Sequence, residues 1–404
     1  MDFGEVALAG GFLKPEQFAT EKFYPMHLCF CPECCAVQIM EKVSAEVLFT
    51  DYFYFSSSIR TLREHFALYA AEVTAQFVPP GKASVLEIGC NDGVLLRPLA
   101  DQGIQTVVGV DPAANVVNTI KDPRINVIND FFTERVAADV VRRFGKMDVV
   151  MANNVYAHIP DIQGVTRAIH QVLGDDGVFV FEVHYLGSVL EEMQYDMIYH
   201  EHLYYYSLTS AIRHFARYGM IVFDVKRVPI HAGSIRFCVC KRGSKHESRV
   251  SDVVKAMLAD ETARGYDKAE TFLDFAGRVA TRKAELMALL TTLKREGRTI
   301  AGYGASGRAN TMIQYCGISH EHLEYMVDDA PAKMGYCTPG SHFPIHASAI
   351  LNQPNPPDYV VIFAWSFLAE IQKRCADYLQ KGGRMIVPLP EVKVIAAGDK
   401  ISTN

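Results

Sequence analysis

Tyr199-His200-Glu201-His202, followed by Tyr204-Tyr205-Tyr206, crowds imidazole, carboxylate and phenol groups into one short stretch. That mixture suits proton transfer at carbon. Taking a proton from a carbon beside a carbonyl needs a base with a pKa near neutrality, which histidine supplies. The enolate that forms needs a donor or positive charge at its oxygen, and a tyrosine or second histidine can provide it. His158 in NNVYAHIPD and His184 in FEVHY each follow a β-rich run and should reach the same cleft edge. A hydrogen-bonded structural role competes for any single one of these histidines. His200 and His202 flanking Glu201 could also hold a metal, but H-x-H lacks the H-E-x-x-H spacing that puts two ligands on one helix face.

A second feature lies upstream. Val85-Leu86-Glu87-Ile88-Gly89-Cys90-Asn91-Asp92-Gly93 places an acid and two glycines at a strand-to-helix turn. Glycine lets a backbone approach a ligand closely and take unusual dihedral angles. The next strand, VVGVD, ends in Asp111, 22 residues after Gly89, where an acid can accept hydrogen bonds from both hydroxyls of a ribose. The third strand ends at Asp130, with Phe131 and Phe132 suited to an adenine edge and face. The spacing E-x-G-x-x-x-G departs from the G-x-G-x-x-G of pyrophosphate-binding turns and suits S-adenosylmethionine. Glu87, Gly89, Asn91, Gly93, Asp111, Asp130 and Asn153 are the candidate cofactor contacts; a chance glycine pair in an α/β turn is the competing explanation.

A third feature, Gly302-Tyr303-Gly304-Ala305-Ser306-Gly307, follows a strand and opens a helix, with Asp328 and Asp329 about 20 residues on. Alone it would indicate a nicotinamide oxidoreductase. The chain already carries one complete cofactor turn, however, and no hydride-transfer constellation follows. A helix N-terminus with free N–H groups suits the pyrophosphate of another ligand equally well.

These residues need a scaffold. From Ser84 the runs SVLEIGC, TVVGVD, INVIND, MDVVMANN and GVFVFEVH alternate with helical stretches, which predicts parallel strands with crossover helices. TLREHFALYAAEVTAQF reads as a helix stopped by Pro79-Pro80-Gly81. TIAGYGASG, LEYMVDD, PDYVVIFAW and GRMIVPLP predict a second alternating unit. The chain divides into a small cysteine-bearing module (1–60), a first α/β domain (61–245), a polar helical connector (246–298) and a second α/β domain (299–404). At 404 residues, 49% hydrophobic and 21% charged, it has material for proper cores. A net charge of −6 argues against general nucleic-acid binding. The N-terminus lacks a basic-then-apolar signal pattern and no run of about 18 apolar residues occurs. A cytoplasmic protein with reduced cysteines, independent of membranes, is expected.

VLEIGCNDG, NVYAHIPD, FEVHYL, IYHEHLYYYSL and HAGSIR occur in the order found in the sugar C-methyltransferase family, and the chain resembles that family over nearly its whole length. The family acts on nucleotide-linked deoxy-keto-sugars in antibiotic and polysaccharide biosynthesis, and includes a three-domain C-3 methyltransferase of the tetronitrose pathway. The resemblance implies a class I S-adenosylmethionine-methyltransferase Rossmann-like domain, a C-terminal Rossmann-like domain and an N-terminal zinc-binding-type module. It implies His202 as the base, Tyr199 and Glu201 as orienting groups and His158 near the keto oxygen. DYFYFSSS looks like the segment that sends a tyrosine to the substrate, with Tyr54 the first choice and Tyr52 the second. Ser234 and Arg236 would lie near the sugar or its phosphates, and Gly304, Ser306, Gly307 and Arg308 near the diphosphate. The substrate implied is a dTDP-, CDP- or GDP-linked keto-deoxysugar, the carbon C-3, and the protein a monomer or homodimer. The family's zinc site uses two C-x-x-C pairs; Cys31-Pro32-Glu33-Cys34 matches the second, and the sequence starts too late to carry the first. Two other activities remain open at this point: O- or N-methylation of a sugar or polyketide-type acceptor, and NAD-dependent oxidoreduction at the C-terminal turn.

Overall fold

The alternation from Ser84 onward folds as a parallel sheet. Strands Ser84–Ile88, Thr106–Val110, Ile125–Ile128, Met147–Asn153 and Leu173–His184 run parallel. All five residues of Ser84–Ile88 are buried, as their apolar run requires when helices cover both faces. Met220–Val228 and Ser234–Lys241 add two antiparallel strands beside Leu173–His184. The spatial order runs 220–228, 234–241, 173–184, 147–153, 84–88, 106–110, 125–128. Chain order reverses on either side of Ser84–Ile88, and ligands of open α/β sheets bind at the carboxyl ends of the strands beside such a reversal. The computed structural model describes residues 1–49, 55–78, 81 and 83–399.

Helices are placed by their caps and apolar stripes. Thr133, Asp161 and Ser207 each accept a backbone N–H at the start of helices Glu134–Phe144, Ile162–Val172 and Leu208–Ala216. Helix Arg60–Phe77 buries Leu62, Phe66, Tyr69, Ala70 and Val73. The C-terminal unit holds six strands in the order 345–347, 326–328, 300–303, 359–362, 384–387, 393–395, parallel except for the last. Ser306 caps its helix Gly307–Cys316, and Gly317, at φ +74°, ends it.

Two long-range arrangements decide where the chemistry sits. The N-terminal strands Asp2–Ala7, Phe23–Phe30 and Val37–Ile39 form a sheet whose fourth strand is Tyr204–Tyr205, with Val37 opposite Tyr205. The Tyr-His-Glu-His run is therefore held by the N-terminal module. That module in turn grips the C-terminal helix: Gln314 Oε1 accepts from Ala7 N at 2.7 Å, and Asn310 Nδ2 donates to Ala9 O at 2.6 Å.

The polar stretch after residue 245 forms helices Asp252–Ala263 and Ala269–Arg295. Both pack closely. Phe275, Val279, Leu286, Leu290 and Leu293 bury one stripe of the long helix. Glu261 is fully buried and accepts from Leu208 N, Thr209 N, Thr209 Oγ1 and Tyr185 Oη at 2.7–2.8 Å. Its carboxylate thus sits at a helix N-terminus, where negative charge is favoured. Replacing Glu261 with Ala strands four buried donors, each worth about 1 kcal/mol or more. Urea unfolding of Glu261→Ala should show a loss of about 3 kcal/mol or more; a loss under about 1 kcal/mol would contradict this assignment.

Candidate active site

The carboxyl ends of the central strands open into one cleft of about 2150 Å³ that runs from the Gly89 turn past His202 to Arg308. It exceeds the usual volume of a single small-ligand site. At one end the chain reverses at Gly89, φ +67°, where a Cβ would stand 2.3 Å from Val155 Cγ2. Only glycine allows that closure. Asn91, at φ +50°, donates its N–H to Asp111 Oδ2 at 2.9 Å, and Ala113 N donates to Oδ1 at 2.9 Å. Asp111 is thereby fixed at the cleft wall, its pKa raised by burial and held down in part by those two amides.

Asn153 also lines the cleft, and its Nδ2 donates to Glu87 Oε1 at 3.2 Å. Burial pushes the Glu87 carboxyl well above its ordinary value. Asn153 Oδ1, Glu87 Oε2 and Asp92 Oδ1 are buried acceptors without hydrogen-bond partners in this structure. Unmet acceptors beside a glycine cradle suit the ammonium and ribose hydroxyls of S-adenosylmethionine. Phe131 and Phe132 wall the same end. Glu87 and Gly93 stand behind the turn. Asp130 is half-exposed, is paired with Arg135 Nη2 at 2.5 Å and does not line the cleft, whereas Phe131 and Phe132 do.

The middle of the cleft holds the histidines. Met197 O lies 2.9 Å from His202 Nδ1, so that nitrogen carries the hydrogen and Nε2 keeps its lone pair. His158 stacks on His202 at 4.9 Å between ring centroids and Tyr199 lies against it at 4.0 Å. Burial, with His158 and His184 nearby, holds the His202 imidazole well below its ordinary pKa. Burial takes His158 down to about 4, and raises the Glu201 carboxyl to about 7. His200 points elsewhere: its Nε2 lies 3.0 Å from Pro25 O, against Tyr24. The H-x-H pair diverges, and among the described residues no group of three His, Cys, Asp or Glu could hold a metal.

At the far end Ser306, Gly307 and Arg308 line the cleft. Gly304 shapes the turn from behind, since a Cβ there would meet Ala364 Cβ at 2.6 Å. Asp196, fully buried, accepts from Arg308 Nε at 2.8 Å and Nη2 at 3.2 Å, and from Trp365 Nε1 at 2.9 Å. Lys333, which the sequence reading missed, donates from Nζ to Ala305 O at 2.6 Å and Asp328 Oδ2 at 3.0 Å and lines the cleft. Asp329 is engaged by Tyr303 Oη at 2.7 Å and by Arg374. Both acids at the dinucleotide ribose position are held by protein donors.

Ser234 and Arg236 need correction. Neither lines the cleft. Ser234 Oγ donates to Ile230 O at 3.2 Å, and Arg236 is buried against Glu182 at 2.6 Å, Glu72 at 2.6 Å and the Tyr69 ring at 3.5 Å. Its charge is spent within the fold. Tyr52 and Tyr54 lie outside the described residues; after them, Ser56 N donates to Asn91 Oδ1 at 2.9 Å, over the cofactor turn. Cys31 and Cys34 share one turn, with Cys35 N donating to Cys31 O at 2.8 Å. All ten cysteines are free thiols. The two cysteines alone do not complete a tetrahedral zinc site.

A parallel sheet with the Gly89 turn and Asp111 at its switch point defines an S-adenosylmethionine-dependent methyltransferase. Three family models match: "Putative zinc binding domain" over residues 1–49, "Methyltransferase domain" over 62–223 and "C-methyltransferase C-terminal domain" over 229–390. The C-methyltransferase NovU of Streptomyces niveus is 33% identical over 398 residues, covering 98% of this chain and 94% of that one. An Escherichia coli O139:H28 ubiquinone biosynthesis O-methyltransferase is 32% identical over 101 residues, 24% of this chain and 41% of its own. The solved glycopeptide N-methyltransferase MtfA with S-adenosylmethionine aligns over 47% of this chain and 96% of its own, at 12% identity and TM-score 0.35. This chain belongs to the C-methyltransferase family that includes NovU. No helix among the described residues is long and apolar enough to cross a membrane.

Glu201 yields a pH prediction. Its carboxyl keeps its proton up to about 7 in the fold but ionises near 4.3 in the unfolded chain. The unfolded state thus binds fewer protons between those values, and stability falls as pH rises through that window. Urea unfolding across pH 4 to 8 should show Glu201→Gln matching the unsubstituted protein below about 4.5 and exceeding it, by at most about 4 kcal/mol, above 7. Parallel curves would contradict the raised value.

Proposed function

We propose that this enzyme methylates a carbon next to the ketone of a nucleoside-diphosphate-linked deoxysugar. C-3 is the position implied by the resemblance, and dTDP, CDP or GDP the carrier. One observation carries the reading: an imidazole with its Nδ1 tied to a carbonyl shares one cleft with a cofactor turn and with the helix N-terminus that bears Arg308. Residues 61–245 hold cofactor and base, 299–404 take the nucleotide, and 1–60 and 246–298 frame them. The proposed setting is the cytoplasm, with the protein a monomer or homodimer.

S-adenosylmethionine, when bound, supplies an electrophilic methyl on a sulfonium. Asp111 would hold its ribose, Asn153 (braced by Glu87) its amino-acid end, and Phe131 and Phe132 its adenine. Arg308 and Lys333, with the N–H groups after Ser306, would hold the diphosphate. The ketone acidifies the neighbouring C–H; His202 Nε2 takes that proton, and the enolate carbon accepts the methyl in line. His158 and Tyr199 flank the ring and would steady the enolate oxygen. A depressed pKa keeps His202 in its base form throughout the physiological range. A histidine base could equally take the proton of a hydroxyl or amine, so the fate of the acceptor-carbon hydrogen separates carbon methylation from O- or N-methylation.

Products from a panel of thymidine-, cytidine- and guanosine-diphosphate keto-sugars should gain one methyl on carbon by mass spectrometry and NMR. His202→Asn should lower kcat about 100- to 10,000-fold while S-adenosylhomocysteine binding stays within about twofold. A methyl found on oxygen, or near-normal turnover by His202→Asn, would overturn the reading.

A further inference from the structure

The segment HAGSIR sends to the cleft a residue other than Ser234 and Arg236. It closes the hairpin between Met220–Val228 and Ser234–Lys241, and of its six residues His231 alone lines the cleft. His231 is also exposed. Among the described residues nothing hydrogen-bonds, ion-pairs or stacks with its imidazole. The backbone around that ring is tightly specified. His231, Ala232 and Gly233 take φ of +50°, +61° and +108° in succession. Left-handed backbone costs an L-residue energy and persists only where its surroundings over-determine it. Here they do: Gly233 N donates to Ile230 O at 3.0 Å, Gly233 O accepts from Tyr185 N at 3.2 Å, and Ala232 O accepts from Gln194 Nε2 at 2.8 Å. The turn is anchored at three points and its one ring is left unengaged.

Hydrogen bonds place this turn beside the carbon base. Gln194, which holds Ala232, accepts from Met197 N at 3.0 Å through its own carbonyl, and Met197 O meets His202 Nδ1 at 2.9 Å. The cofactor turn is farther away. Ser234 pairs with His184, and two strands stand between Ser234–Lys241 and Ser84–Ile88. Three strand-to-strand steps of about 4.8 Å set the hairpin about 14 Å from the Gly89 turn across the sheet. The acceptor, not S-adenosylmethionine, is therefore the ligand within reach of His231. Arg308 and Lys333 supply the cations of the cleft's far end; an imidazole, which can both donate and accept, suits the oxygens of a sugar.

We propose that His231 binds the acceptor sugar, hydrogen-bonding one of its oxygens and so holding the reacting carbon against His202. This rests on the sugar reading above. The strained turn fixes where that hydrogen bond is offered, so the sugar meets a group already in place.

The test uses His231→Ala, which removes the ring and keeps the backbone cost, and His231→Gly, which removes both, in the full-length enzyme. Both variants should melt within about 3 °C of the unsubstituted protein and bind S-adenosylhomocysteine within about twofold. KM for the keto-sugar substrate should rise about fivefold or more in each, with kcat within about threefold. Inhibition by the matching nucleoside diphosphate, which lacks the sugar, should stay within about twofold. A KM left within twofold in either variant would overturn the proposal. So would an equal loss of nucleoside-diphosphate inhibition, which would put the contact at phosphate, or a melting temperature lowered by more than about 5 °C in both, which would make the residue structural. Each of these leaves the sugar reading intact. Failure of the unsubstituted enzyme on every keto-sugar would sink both.

Discussion

The hydrogen bond between Met197 O and His202 Nδ1, 2.9 Å long, is the contact on which the proposed chemistry depends. An imidazole free to exchange tautomers presents a lone pair to the cleft only part of the time. Anchoring Nδ1 to a carbonyl commits Nε2 to that task. The same ring is wedged between His158 and Tyr199, so its plane is set as well as its proton. A half-buried histidine among other histidines is a weak base at equilibrium. What it offers the proposed reaction is an unprotonated nitrogen at a fixed place, and alignment of two substrates beside it would supply much of the remaining acceleration.

Holding Met197 and His202 in register requires the whole molecule. The segment that carries them leaves the central sheet at Tyr185, passes Asp196, which is locked to Arg308 and Trp365 of the C-terminal unit, and ends by pairing Tyr205 with Val37 of the N-terminal sheet. Each unit therefore fixes one part of the loop. Glu261 adds a fourth tie through Tyr185 and the start of the next helix. A loop so constrained can hold several buried titratable groups whose desolvation would otherwise favour opening it.

Much of this was legible in the residues. Alternating apolar runs and the glycine turns located both sheets, since local periodicity and φ requirements act within about ten residues. Of the Tyr-His-Glu-His run, Tyr199, Glu201 and His202 line the cleft. Contacts formed across the chain were not legible. Arg236 looked like a ligand because an arginine within a β-rich motif invites that reading, yet its partner Glu72 lies 164 residues away. Lys333 was passed over because its value comes from meeting Ala305 O, 28 residues earlier. The polar helix bearing Glu261 read as a bridge, since nothing local shows that its carboxylate is buried. His200 and His202, two apart in irregular chain, diverge for reasons only the packing against Pro25 reveals.

The decisive measurement is hydrogen exchange at the acceptor carbon in D2O, with S-adenosylhomocysteine in place of the methyl donor and NMR as the readout. If His202 Nε2 removes that proton, the enzyme will exchange it for deuterium without methyl transfer, and His202→Asn will not. An enzyme that methylates its acceptor yet retains this hydrogen through turnover would contradict the account.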